Sequence, residues 1–391
     1  MSTVCFINGS VLSDQFSRFE KKNVLCENGK IKALLCPSVV PDADEYIDIS
    51  GKYLVPGFTD AHTHGKVGYD FNTVNEDKIP EVLLGYAKKG VTSLFPTLAS
   101  ATLEDLLAKG DMICSFKNGE LKGARVVGVH LEGKYLNPAK KGAHAEQLLS
   151  APNAEDVPQI LEHMQLPLHV SAAFELDEGE GFISELTKNG ATVGLAHTVA
   201  NYKTTARLYE KYGISLTHMF NAMPPLHHRD GGAVCVGLTT DMYTELICDG
   251  IHVSPEMVKL AYRCKGKDRL VLITDSMEAT DSADGEYTIA GQPVIVKDSI
   301  ARTLDGALAG STLNFEAAIN NLVKFADADY PSAITCATAN PCKMLNIFDS
   351  YGSISIGKAA DFIVSQIDKD GFKIKEVYIG VGQKDCLHIN S

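Results

Sequence analysis

Eight short apolar runs rich in β-branched residues recur through the middle of the chain, at 53–59, 91–96, 125–130, 166–172, 192–196, 214–217, 245–248 and 269–273. Between most of them lie amphipathic stretches with apolar residues three or four apart, at 79–89, 103–116, 154–164, 181–188, 202–212 and 254–264. A strand, a helix and a further strand in one sheet close as a right-handed crossover with the strands parallel. Eight such units in succession favour a closed (β/α)8 barrel of the TIM type over an open sheet. Ser254-Pro255-Glu256 adds a local start signal, an N-cap residue before proline at the first helical position. The expected fold class is α/β.

The two ends read differently. Short β-like runs at 4–8, 23–26 and 30–35 are punctuated by Asn8-Gly9 and Asn28-Gly29, and similar runs occupy 360–365 and 372–379. Neither end is long enough to bury a core by itself. The expected division pairs them, with 1–54 and 352–391 forming a small β-sandwich domain and 55–351 forming the barrel.

A barrel of this kind presents its chemistry at the C-terminal ends of its strands. After the first run, in VPGFTDAHTHG, stand Asp60, His62 and His64. Glu132 follows the third run, His197 the fifth, His218 the sixth, Asp249 and His252 the seventh, and Asp275 the eighth. The second and fourth offer Thr97 and Glu175. Five of the twelve histidines fall at these positions, which lifts the weak H-x-H signal into a pattern.

Imidazoles and carboxylates bind catalytic divalent metals, which keep a position open for water and lower its pKa. Glu132, His197 and His218 form one expected ligand set, and His62 with His64, bridged by Glu132, forms a second. Asp275 is the expected general base and acid, taking a proton from the attacking water and returning it to a leaving amine. The competing reading of Asp275 is a turn or N-cap aspartate. His130, two residues before Glu132, reads as buried support for that carboxylate. His169 reads as a core residue, His163 and His388 as solvated, and spacing leaves His144 open.

VPGFTDAHTHG resembles the metal-binding signature of the amidohydrolase superfamily. The blocks HLEGKYLNPAKKGAH, GLAHT, THMFNAMPPLHHRDGG, CDGIHV, LITDSM and DGALAGSTLNFEAA resemble, in that order and along nearly the whole chain, those of its N-acetylglucosamine-6-phosphate deacetylase family. The resemblance implies hydrolysis of the acetamido group of N-acetylglucosamine 6-phosphate to glucosamine 6-phosphate and acetate. It matches Glu132, His197 and His218 to metal ligands and Asp275 to the acid/base. It matches His144 to the residue that polarises the acetyl carbonyl, with Ala143 beside the sugar. Asn221 and Ala222 match a substrate-contacting pair, Arg229 and His252 the phosphate binders, and Leu308, Ala309 and Gly310 a loop over the sugar. Related barrels carry a carbamylated lysine near the end of the fourth strand; this chain has none in LPLHVSAA, which leaves Glu132 as the bridge or a single ion. The resemblance thus implies one or two divalent ions per chain, zinc, iron or another transition metal, and a homodimer. Many members have proline after the Glu-Gly of the third-strand block, where this chain has Lys134.

A net charge of −13 opposes nonspecific contact with nucleic acid or an anionic membrane, so neither is an expected partner. An anionic sugar phosphate needs local cations, and His227-His228-Arg229 is the dense basic cluster among the expected active loops. The N-terminus lacks a basic segment before a long apolar run, no stretch reaches the length of a membrane span, and ten scattered cysteines without a C-x-x-C pair suit reduced thiols, so the expected compartment is the cytoplasm. Two rival readings remain: an amidohydrolase acting on a cyclic amide or an uncharged N-acyl compound, and a barrel scaffold without chemistry.

Overall fold

The computed structural model describes residues 2–118 and 121–390. Eight parallel strands form a nearly closed barrel: Phe58–Thr63, Val91–Leu98, Val129–Glu132 with its lead-in Arg125–Val126, Leu168–Ala172, Thr192–Leu195, Ser215–Leu216, Thr244–Ile247 and Leu270–Ile273. Neighbours pair in that order, and the eighth strand lies against the first. The strands read as continuous apolar runs because both faces are buried, one in the barrel and one under helices.

Each strand is followed by a helix: α1 (Ile79–Ala87), α2 (Leu103–Ser115), α3 (Val157–His163), α4 (Gly179–Lys188), α5 (Tyr202–Tyr212), α6 (Gly232–Thr239), α7 (Pro255–Arg269) and α8 (Phe315–Ala326). Local chemistry sets their ends. Thr102 accepts the Asp105 N–H at the start of α2, Asn201 accepts the Thr204 N–H at the start of α5, and α5 stops at Gly213 with φ of 65°. The sequence reading places no helix at 232–239, and α6 shows why: Gly232, Ala233, Val234, Val236, Gly237 and Leu238 are all buried, so no polar face marks the helical period.

The expected first strand is in fact two. Tyr53–Pro56 belongs to a six-stranded sheet with Leu387–Asn390, Gly371–Ile379, Phe362–Asp368, Ser10–Leu12 and Phe19–Lys21, whereas Phe58–Thr63 starts the barrel. Gly57 makes the passage between them, since a Cβ there would lie 2.0 Å from Thr92 Oγ1. Asp60 and His62 accordingly sit within the first barrel strand and not beyond it.

A four-stranded sheet of Lys30–Leu35, Asn23–Glu27, Thr3–Ile7 and Glu45–Asp48 faces the six-stranded one. Alternation along Phe362–Asp368 connects the parts: Phe362 and Val364 point into the sandwich beside Phe6 and Tyr378, and Ile363 points into the barrel core.

A three-stranded antiparallel sheet, Gly285–Ile289, Gln292–Lys297 and Ile300–Thr303, lies where the sequence reading places no element. Its turns, Ala290-Gly291 and Asp298-Ser299, hold four positive φ values in two successive pairs, the geometry of tight hairpins. Glu278 accepts from the Thr288 N–H and hydroxyl, and buried Asp70 accepts the Ala290 N–H at 3.0 Å. These contacts pin the sheet over the mouth of the barrel.

Candidate active site

Glu132, at the end of the third strand, stands between two pairs of histidines. Its Oε2 is 3.2 Å from His62 Nε2 and 3.0 Å from His64 Nε2, and its Oε1 is 2.9 Å from His218 Nε2 and 3.4 Å from His197 Nε2. Asp275 Oδ1 joins the first pair, 3.3 Å from His64 Nε2 and 3.6 Å from His62 Nε2. All six side chains are buried. Strands one, three, five, six and eight thus send their groups to one place.

Hydrogen bonds behind the rings decide which way the lone pairs face. His197 Nδ1 is 2.7 Å from the Lys140 carbonyl, and His62 Nδ1 is 3.2 Å from Glu245 Oε2; both partners only accept, so both Nδ1 atoms carry the proton. Their Nε2 lone pairs then point at carboxylate oxygens, and the Nε2 atoms of His62 and His64, and of His197 and His218, approach within 3.4 and 3.2 Å. Acceptors converging on one another in a buried space repel unless a cation lies among them. The donor set therefore fits divalent metal, and His62, His64 and Glu132, and Glu132, His144 and His197, each place ligand atoms within 4.8 Å of one another.

A proton competes with a cation for these lone pairs. Burial opposes a charge on His62, but Glu132 and Asp275 outweigh it and hold its pKa well above the ordinary value. Burial would raise Glu132, yet His62, His197 and His218 keep it well below the carboxylate range. His144 differs: burial, aided by nearby His197, pushes it down to about 3, so it is a neutral ring. Its Nδ1 accepts from the Ser100 backbone N–H at 3.4 Å and faces Ser100 Oγ at 2.9 Å, which puts the remaining proton on Nε2.

Backbone strain gathers at the same place. His197, His218 and Asp275 have φ of 42°, 29° and 48°, and Phe220 and Ala222 add 81° and 51°. Left-handed backbone at non-glycine residues costs on the order of 1 kcal/mol or more each, and is kept where the fold needs a side chain aimed against its preference. Gly133, next to Glu132, has φ of 120°, and a Cβ on it would lie 2.3 Å from Ser100 Oγ. Any other residue there would push Ser100 off His144.

Above the carboxylates opens a cavity of about 250 Å³ whose lining includes His64, Glu132, His144, His197, His218 and Asp275. Its walls bring in Ala143, Asn221, Ala222 and His252, and the loop after the inserted sheet adds Leu308 and Gly310. Ala309 packs behind that loop with Met277 and Ile289, and His62 lies beneath the floor. His252 is held by Asp249, whose Oδ2 accepts from its Nδ1 at 2.6 Å.

Arg229 is not brought to the cavity of its own chain. It lies on an exposed loop, with Nη1 2.7 Å from His228 Nε2. His130 and His169 are buried in the barrel, but the His130 nitrogens pair with Thr97 Oγ1 at 3.1 Å and Ser171 Oγ at 2.8 Å and not with the Glu132 carboxylate it was expected to support, while His163 and His388 pair at the surface with Asp111 and Glu376. Sequence reasoning missed Glu245 and Ser100, which hold His62 and His144. Glu245 opens the seventh apolar run, and a carboxylate inside an otherwise apolar strand is the signal that marked it.

A sequence profile described as the Amidohydrolase family matches residues 53–382. The chain belongs to that family. It is 34% identical over 328 residues to the N-acetylgalactosamine-6-phosphate deacetylase of Escherichia coli O157:H7, covering 83% of this chain and 86% of that one. It is 31% identical over 355 residues to the N-acetylglucosamine-6-phosphate deacetylase of Vibrio furnissii, covering 90% and 88%. The crystal structure of N-acetylglucosamine-6-phosphate deacetylase from Pasteurella multocida superposes with a TM-score of 0.91 at 25% identity, covering 100% of both chains. Within the amidohydrolases this chain is an amide-bond hydrolase of the amino-sugar deacetylase type.

Proposed function

We propose that the chain hydrolyses the acetamido bond of N-acetylglucosamine 6-phosphate, releasing acetate and glucosamine 6-phosphate. The observation that carries this reading is the arrangement of Glu132 between two histidine pairs, with Asp275 beside them and neutral His144 above, on the floor of one cavity. Glu132, His197 and His218 would hold one divalent ion, and His62 and His64, with Glu132, would hold a second. Such an ion, zinc, iron or a similar metal, lowers the pKa of water and polarises a carbonyl when bound.

The chain's own groups do the rest. Asp275 takes the proton of the attacking water and delivers it to the departing amine nitrogen, which leaves as a neutral amine. His144 donates from Nε2 to the acetyl oxygen as negative charge builds there, and its low basicity keeps it a neutral donor throughout. Ala143, Asn221 and Ala222 line the sugar, and the inserted loop at Leu308, Ala309 and Gly310 closes over it. As an imidazolium, His252 donates from Nδ1 to Asp249 and from Nε2 to the phosphate.

Arg229, which does not line the cavity of its own chain, serves the neighbouring site of a homodimer and completes the phosphate grip through a bidentate fork. Ten unpaired cysteines suit a cytoplasmic enzyme. No helix among the described residues is long and apolar enough to cross a membrane.

A second reading has its own support: the E. coli relative at 34% identity is named for the galactosamine epimer. Acetate release from N-acetylglucosamine 6-phosphate, N-acetylgalactosamine 6-phosphate and unphosphorylated N-acetylglucosamine, with defined divalent metals, separates the two. The first sugar is expected to have the highest kcat/KM. Preference for the second shifts the assignment to the epimer, and no release from either phosphate overturns the proposal.

A further inference from the structure

We infer that Glu245 is a positioning residue that fixes the His62 ring for the ion at His62, His64 and Glu132. The inference rests on the metal reading above. Glu245 lies in the seventh strand with no exposed surface. Its Oε2 is 3.2 Å from His62 Nδ1 and also 3.2 Å from the backbone N–H of His218. One oxygen therefore touches a ring from the first histidine pair and the main chain of the second.

The other rings are held differently. His197 Nδ1 donates to a neutral carbonyl, and the Nδ1 atoms of His64 and His218 are buried with no partner among the described residues. Among these four rings, only His62 has a carboxylate behind its Nδ1. An acceptor of that kind fixes the tautomer and makes the opposite nitrogen a stronger ligand, an effect worth about tenfold to a hundredfold in metal affinity. The second oxygen, Oε1, is buried without a partner, a cost that an apolar residue at this place would avoid. The geometry thus gives Glu245 a task at His62 that offsets an otherwise unfavourable burial.

Glu245→Gln tests this at nearly constant shape, because the amide oxygen takes the place of Oε2 and the NH2 group occupies the unpartnered Oε1 position. Zinc is titrated into metal-free full-length protein against a chromophoric chelator, with thermal unfolding of the same samples as a check on folding. Wild type is expected to take two ions. In Glu245→Gln one ion weakens by about tenfold or more and the other changes by less than about twofold. In a His62→Asn background, Glu245→Gln is expected to change the remaining ion by less than about twofold. The inference is overturned if Glu245→Gln weakens neither ion, or weakens the ion that remains in the His62→Asn background as strongly as it weakens the more affected ion of the otherwise wild-type protein. A wild type that binds one ion overturns it while leaving the single-ion reading intact. A wild type that binds none defeats the metal reading itself.

Discussion

Asp275 and Glu132 have the same functional group and opposite surroundings. Glu132 has an imidazole nitrogen on every side, and both of its oxygens are engaged. Asp275 meets its histidines through one oxygen only and opens onto the cavity. The first arrangement suits holding a cation and the second suits moving a proton. Asp275→Asn is expected to lower kcat by about 10²- to 10⁴-fold with little change in substrate affinity, read by steady-state rates and by equilibrium binding of the sugar phosphate. Weaker binding with an unchanged kcat would assign Asp275 to binding instead. At this scale the strand-end positions of Glu132, His197, His218 and Asp275 were legible because a barrel fixes where each strand must finish. Ser100 was not, and Glu245 showed only as a carboxylate in an apolar strand, since the ring that each one holds lies more than forty positions away. Pattern along a chain does not contain that distance.

The inserted sheet shows how an element escapes sequence reading. Alternation is present in 285–303, but its turns use alanine, aspartate and serine at positive φ, beside a single Gly291. Helix α6 was lost for the opposite reason, being apolar all round. Tyr53–Pro56 and Phe58–Thr63 ran together because only Gly57, pressed on Thr92, separates them. The eight-stranded barrel survived these errors because its evidence was repetition, which one misplaced boundary does not erase. The sheet covers the site by way of Ile289, and the loop that follows it adds Leu308 and Gly310. Asp70 holds the Ala290 N–H from beneath. Asp70→Ala is expected to speed amide exchange across 285–303 by about tenfold, from loss of a charged hydrogen bond worth about 1.5 kcal/mol, and to raise KM more than it lowers kcat. Unaltered exchange in that sheet would mean that Glu278 alone suffices as the anchor.

For the whole molecule the difficulty is charge. A body of net charge −13 must take in a dianionic sugar, and among the described residues His252 is the one cation-competent side chain on the cavity wall outside the histidine cluster at its floor. The proposed answer, Arg229 from a second copy, has a direct consequence for mixed dimers. Arg229→Ala and Asp275→Asn, each expected to be nearly inactive alone, should regain about a quarter of wild-type activity after subunit exchange, because half of the dimers are mixed and each of those restores one site. No recovery would place Arg229 in the service of its own chain.

Convergence of groups from five strands on a cation is the claim beneath all of these, and returning metal to stripped protein tests it most directly. Chelated protein, verified metal-free by mass spectrometry, is assayed for acetate release from N-acetylglucosamine 6-phosphate as zinc or ferrous iron is added back. Activity is expected to rise from nil in step with bound ion, and to stay at nil in Glu132→Gln at every metal concentration. Full activity in the metal-free protein, or undiminished activity in Glu132→Gln, would contradict the account.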